Sequence, residues 1–118
     1  MLPGKRAVRV GDLILKEIAF LLLERVKDPR IKGVTLTGIK LTDDLKSAKV
    51  YFSALGGQEE IERAGSGLES ARGFIKREIA GSMQLRYVPR LEFVHDTSLA
   101  EGSRMEKLFE KLRETDKE

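Results

Sequence analysis

Few groups in this 118-residue chain could carry covalent chemistry. A single histidine, His95, precedes Asp96, two acids stand together at Asp43 and Asp44, and cysteine is absent. Neighbours on a strand face opposite sides, so His95 and Asp96 make an awkward acid-base couple, and His95 reads as structural. Asp43-Asp44 falls in the polar run Thr42-Asp43-Asp44-Leu45-Lys46, where adjacent acids are ordinary turn chemistry before they are a metal or general acid-base site. There is no phosphate loop, no metal-ligand spacing and no nucleophile beside a base. No catalytic residue, cofactor or metal is therefore expected, and the chain reads as a binding protein rather than an enzyme.

The cations are more informative. Lys+Arg 22 against Asp+Glu 19 leaves a net charge of only +3, but its distribution is uneven. Residues 1–11 carry Lys5, Arg6 and Arg9 with no acid, for +3. Residues 63–90 carry Arg63, Arg72, Lys76, Arg77, Arg86 and Arg90 against Glu69 and Glu78, for +4. Residues 12–62 and 91–118 come to −1 and −3. If the fold brings the two basic stretches to one face, they form the electrostatic footprint of a nucleic-acid binder. A solvated charged face is the competing reading, and it weighs most on Lys5, Arg6 and Arg9, since a basic helix start is common. Among the rings, Phe52 and Phe93 share strand phases with apolar residues and read as core. Tyr51 points the other way, beside Lys49 and Ser53, and is the best candidate for an exposed stacking surface; Phe74 is a further ring near the cations.

The elements that must position these groups follow from periodicity. Val10, Leu13, Ile14, Ile18, Leu21 and Leu22 recur at helical spacing until Asp28-Pro29, which predicts one long helix over about Arg6 to Lys27. Leu15, Ala19, Phe20 and Leu23 widen its apolar stripe, so much of its circumference is expected to be covered. From Gly33 the period becomes two. Val34 and Leu36 share one phase and Ile39 and Leu41 the other, so a bulge at Gly38 would return all four to one face. After the turn, Ala48, Val50, Phe52 and Ala54 alternate as a second, antiparallel strand.

Ile61, Ala64, Leu68 and Ala71 then mark a helix weakened by Gly65 and Gly67, and Phe74, Ile75, Ile79 and Met83 mark another. The two are expected to meet at a kink over Ala71-Arg72-Gly73. Tyr87-Val88-Pro89 breaks the pattern, and Leu91 to His95 reads as a third strand. Ser98 and Glu101 have capping-box spacing ahead of an amphipathic helix bearing Met105, Leu108, Phe109 and Leu112, with residues 114–118 fraying. A single α+β domain over 1–118 results, a three-stranded sheet packed by helices, of a size that needs no disulfide or metal staple. Its longest apolar run, Ile18 to Leu23, is too short to cross a bilayer, and Asp12, Lys16 and Glu17 interrupt any signal-peptide core. With no cysteine, the cytoplasm is the expected compartment.

In this order the sequence resembles the ribosome-binding factor A family. The resemblance rests on Val26-Lys27-Asp28-Pro29-Arg30, Val34-Thr35-Leu36-Thr37, Ala48-Lys49-Val50-Tyr51, Ala71-Arg72-Gly73-Phe74, Val88-Pro89 with Leu91-Glu92-Phe93, and Asp96 to Ser98 followed by Gly102. It implies a type II KH-like fold in the order α-β-β-α-kink-α-β plus a C-terminal helix. It also implies a non-catalytic assembly factor, monomeric when free, that binds the immature 30S small ribosomal subunit and its 16S rRNA. Late maturation and 5′-end processing of that RNA, notably in the cold, would be the process assisted.

On the resemblance, Arg72, Lys76, Arg77, Arg86, Arg90, Lys5, Arg6 and Arg9 become RNA-contact candidates. Two departures accompany it. Gly65-Ser66-Gly67 either frays its helix or imitates part of a glycine grip. The GXXG loop with which KH domains clamp a nucleic-acid backbone is missing, with Ala71-Arg72-Gly73 in its place. The alternative of another class is a protein-interaction adaptor that docks through its C-terminal amphipathic helix.

Overall fold

A computed structural model describes residues 4–98, in the order helix α1 (Lys5–Glu24), a 3-10 turn (Pro29–Ile31), strands β1 (Val34–Leu41) and β2 (Ser47–Ala54), helix α2 (Gln58–Ser82) and strand β3 (Arg90–His95). The C-terminal helix expected from Met105 to Leu112 lies outside the described residues.

Helix α1 owes its place to a stripe of Ala7, Gly11, Ile14, Ile18 and Leu21, all buried and spaced by three or four. Full burial of each large aliphatic chain stabilises the domain by about 1.5–3 kcal/mol. The second apolar set does not close over it as expected. Leu15 is half-buried, but Ala19, Phe20 and Leu23 stand exposed among the described residues, because α1 meets the sheet through one stripe only. The helix ends where the Arg25 and Val26 N–H groups both donate to the Leu21 carbonyl, at 2.8 and 2.9 Å. Asp28 then caps the 3-10 turn, accepting from the Arg30 backbone N–H at 2.9 Å while pairing with the Arg30 guanidinium at 2.7 Å.

The sheet has the order β1-β2-β3, with β1 antiparallel and β3 parallel to the central β2. Parallel pairing requires a crossover, and α2 supplies it. The phase change in β1 is a bulge, and the residue left without a partner is Thr37, between the pairs Leu36↔Phe52 and Gly38↔Tyr51. It restores Ile39 and Leu41 to the helix side. Cross-strand rows there are Leu41-Ala48-Leu91, Ile39-Val50-Phe93 and Leu36-Phe52-His95; the opposite face carries Lys40-Lys49-Glu92 and Gly38-Tyr51-Val94. The His95 ring meets Phe52 edge-on at 5.7 Å, the structural role expected of it.

Two helices were expected between residues 61 and 83, and there is one. Helix α2 runs unbroken through Ala71-Arg72-Gly73, so no junction separates its halves. Each glycine costs a helix up to about 1 kcal/mol, less than the burial of Ala64, Leu68, Ala71, Ile75 and Ile79 along one face returns. Its start is fixed by Glu60, whose carboxylate accepts from the Gly57 N–H at 2.9 Å. Gly65-Ser66-Gly67 neither frays nor forms a loop. Gly67 is buried beneath the 3-10 turn, and a Cβ there would lie 2.8 Å from Ile31 Cγ2 and 3.1 Å from Arg30 Cβ. The glycine is what lets Pro29–Ile31 pack on α2.

Candidate nucleic-acid interface

The acids of the β1-β2 turn are occupied in building it. Asp44 accepts from the Thr42 hydroxyl at 2.6 Å and from the Lys46 N–H at 3.0 Å, contacts that hold its carboxyl below the usual range. Asp43 accepts from the Gly4 N–H at 2.9 Å and so ties the start of α1 to this turn. The start of β3 is tied there too, since the Arg90 N–H donates to the Lys46 carbonyl at 2.8 Å. Among the described residues no cluster of three His or acidic side chains is disposed to hold a metal ion.

These ties set the start of α1 and the start of β3 beside the same turn. The first turns of α1, with Lys5, Arg6 and Arg9, reach the same end of the sheet as the connector carrying Arg86 and the first residue of β3, Arg90; all five side chains are exposed. Arg86 lies over the exposed ring of Tyr87, its guanidinium carbon 5.6 Å from the centroid. On α2, Arg72 and Arg77 are exposed and Lys76 is half-buried. Arg72 pairs with Glu69 at 2.9 Å, an exposed contact of the kind that contributes 1 kcal/mol or less and leaves the cation available. Arg63, the sixth cation of the basic segment, stands apart near Asp28.

A depression of about 790 Å³ is lined by Lys40, Lys49, Arg72 and Arg90 together with Tyr51, against the acids Asp43 and Glu92. Two residues predicted from the sequence, Arg72 and Arg90, thus meet in one concavity. Lys76, Arg77, Arg86 and the α1 cations lie outside its lining. Lys40 and Lys49 are additions. They are register partners on the face of the sheet turned away from α1 and α2, and their segment's charge of −1 concealed them. Strand alternation was the available signal, for Lys49 and Tyr51 share the phase opposite to Val50 and Phe52. Of the other rings, Phe52 is buried, Phe93 packs against the core, and Phe74 is half-buried with Arg25 6.0 Å from its centroid.

The family model described as Ribosome-binding factor A matches residues 6–109. A ribosome-binding factor A of Syntrophobacter fumaroxidans is 44% identical over 114 residues, covering 95% of this chain and 97% of its own. The solution structure of a Thermotoga maritima protein superposes with a TM-score of 0.71 at 31% identity, over 83% of this chain and 93% of that one. The Thermus thermophilus ribosome binding factor A, as fitted into a cryo-electron-microscopy map of a 30S complex, shares the fold. Its TM-score is 0.64 at 23% identity, over 77% of this chain and 96% of that one.

Proposed function

The chain belongs to the ribosome-binding factor A family, and on that premise we propose that it binds the immature small ribosomal subunit through its 16S rRNA. It assists late maturation and 5′-end processing of that RNA, notably in the cold. Membership of a family of binding factors makes it a binding protein and not an enzyme. It works by differential affinity, shifting the RNA toward the conformation it binds better. It acts in the cytoplasm and is a monomer when free. Among the described residues no helix is long and apolar enough to cross a membrane.

The observation that carries the reading is the gathering of Lys40, Lys49, Arg72 and Arg90 in one concavity, with Lys5, Arg6, Arg9 and Arg86 at the same end of the sheet. Such an arrangement neutralises phosphates and releases their counterions. The Thermus thermophilus relative fitted into a 30S complex supports the choice of partner. Co-sedimentation with immature small subunits across a salt series tests it, with chemical footprinting to locate the contact. Affinity should fall steeply as salt rises. Absence of binding, or binding indifferent to salt, would reject the proposal.

A further inference from the structure

Among the described residues, the face of the sheet turned away from α1 and α2 carries one aromatic ring among its cations, and the residue across from that ring has no side chain. Tyr51 lies on the central strand, half-buried, in the depression lined by Lys40, Lys49 and Arg90. Its antiparallel partner is Gly38 and its parallel neighbour is Val94. Among the described residues a Cβ at Gly38 would meet nothing within 4 Å, so they leave the space beside the Tyr51 ring open on the β1 side. The neighbouring row is Lys40-Lys49-Glu92, which places two ammonium groups one row away from this gap.

We infer that this face is a stacking platform for unpaired RNA, with one base lying over Gly38 against the Tyr51 ring and the flanking phosphates held by Lys40, Lys49 and Arg90. The inference rests on the RNA-binding reading above and specifies which form of RNA the site takes. Every base has a π-face, so stacking on a ring bracketed by cations is tolerant of sequence, and it is available only to bases outside a duplex. It also answers the missing glycine grip, since an exposed sheet face with an aromatic ring can hold single strands without a helix-loop clamp. Charge decides against an apolar partner, because four cations and two acids line the concavity.

The test compares the parent protein with Tyr51→Phe, Tyr51→Ala and Gly38→Val. Binding of a 5′-labelled, unstructured 12-nucleotide RNA and of a duplex of equal length is read by fluorescence anisotropy at matched salt. Tyr51→Ala should weaken single-strand binding roughly tenfold or more, while Tyr51→Phe, which keeps the ring, stays near the parent. Gly38→Val fills the gap with a residue suited to strands and should weaken binding comparably while the protein stays folded by circular dichroism. Duplex affinity should not change in any variant.

Single-strand affinity left intact by both Tyr51→Ala and Gly38→Val would overturn the inference. So would an equal loss for duplex and single strand, or equal binding of polyglutamate that is insensitive to Tyr51, which would mark a general acidic-polymer surface. Sedimentation of the same proteins with immature subunits separates the two claims. A parent that binds subunits while Tyr51 proves irrelevant sinks the platform alone, whereas a parent that binds no subunits sinks the functional reading.

Discussion

Thr37 and Asp96, 59 residues apart, are joined by a 2.6 Å hydrogen bond that links β1 to the end of β3 past the intervening strand β2. The donor is the residue that the bulge leaves unpaired. Asp96 also accepts from the Ser98 N–H at 2.9 Å, and the Thr37 hydroxyl, followed by the Ser98 contacts, pulls its carboxyl down to about 2 from an ordinary 3.8. A depressed carboxylate stabilises the folded chain above its unfolded pKa. That contribution should be complete above about pH 5 and decline as pH falls through 3.8 toward 2. Thr37→Val should raise the Asp96 carboxyl toward its ordinary value, observable as a shifted midpoint in a carboxyl NMR titration. An unmoved midpoint would assign the depression to other contacts.

Gly67 and Gly73 occupy the same helix and should respond to alanine with opposite signs. At Gly67 a methyl group meets Ile31 Cγ2 at 2.8 Å. Overpacking of this kind costs about 1–3 kcal/mol. Urea denaturation of Gly67→Ala should show a lowered midpoint with an unchanged slope.

Gly73 is exposed and helical, and among the described residues a Cβ there would meet only the end of the Arg77 side chain at 3.5 Å. Gly73→Ala should therefore stabilise the protein by about 0.5–1 kcal/mol through the unfolded state. Subunit affinity should stay at the parent value. A destabilised or inactive alanine variant would restore the special junction at Ala71-Arg72-Gly73 that the unbroken helix argues against.

Charge reversal should rank the cations. Lys49→Glu with Arg90→Glu changes two exposed residues of the concavity and should weaken subunit binding more than tenfold, while lowering the salt slope by about 0.7 per lost phosphate contact. Lys76→Glu with Arg77→Glu alters α2 outside that lining, and the cost should be smaller. The reverse ranking, measured by sedimentation at matched salt, would move the RNA onto the helical side.

Periodicity made most of the architecture legible. Ala48, Val50, Phe52 and Ala54 alternate on β2 as read, and the phase change near Gly38 announced a bulge one residue from the unpaired Thr37. What failed was the reading of glycine. Gly65, Gly67 and Gly73 count against a helix in any local account, and only tertiary packing shows that Gly67 is required by Ile31. Arg72 and Arg90 were legible as candidates because segment charge exposes clusters. Lys40 and Lys49 were not, since each is a lone cation in its strand and they meet only through register.

The parallel pairing of β3 with β2 also sets an order of events during synthesis. Until Arg90 and the residues after it have emerged, β2 presents one unpaired row of backbone donors and acceptors, and the concavity lacks the wall that Arg90 and Glu92 provide. The hairpin and α2 can assemble early from near neighbours in sequence, whereas this last pairing must wait for the whole crossover. A growing chain therefore completes this concavity only once the whole crossover and β3 have emerged, and a chain halted within α2 lacks it.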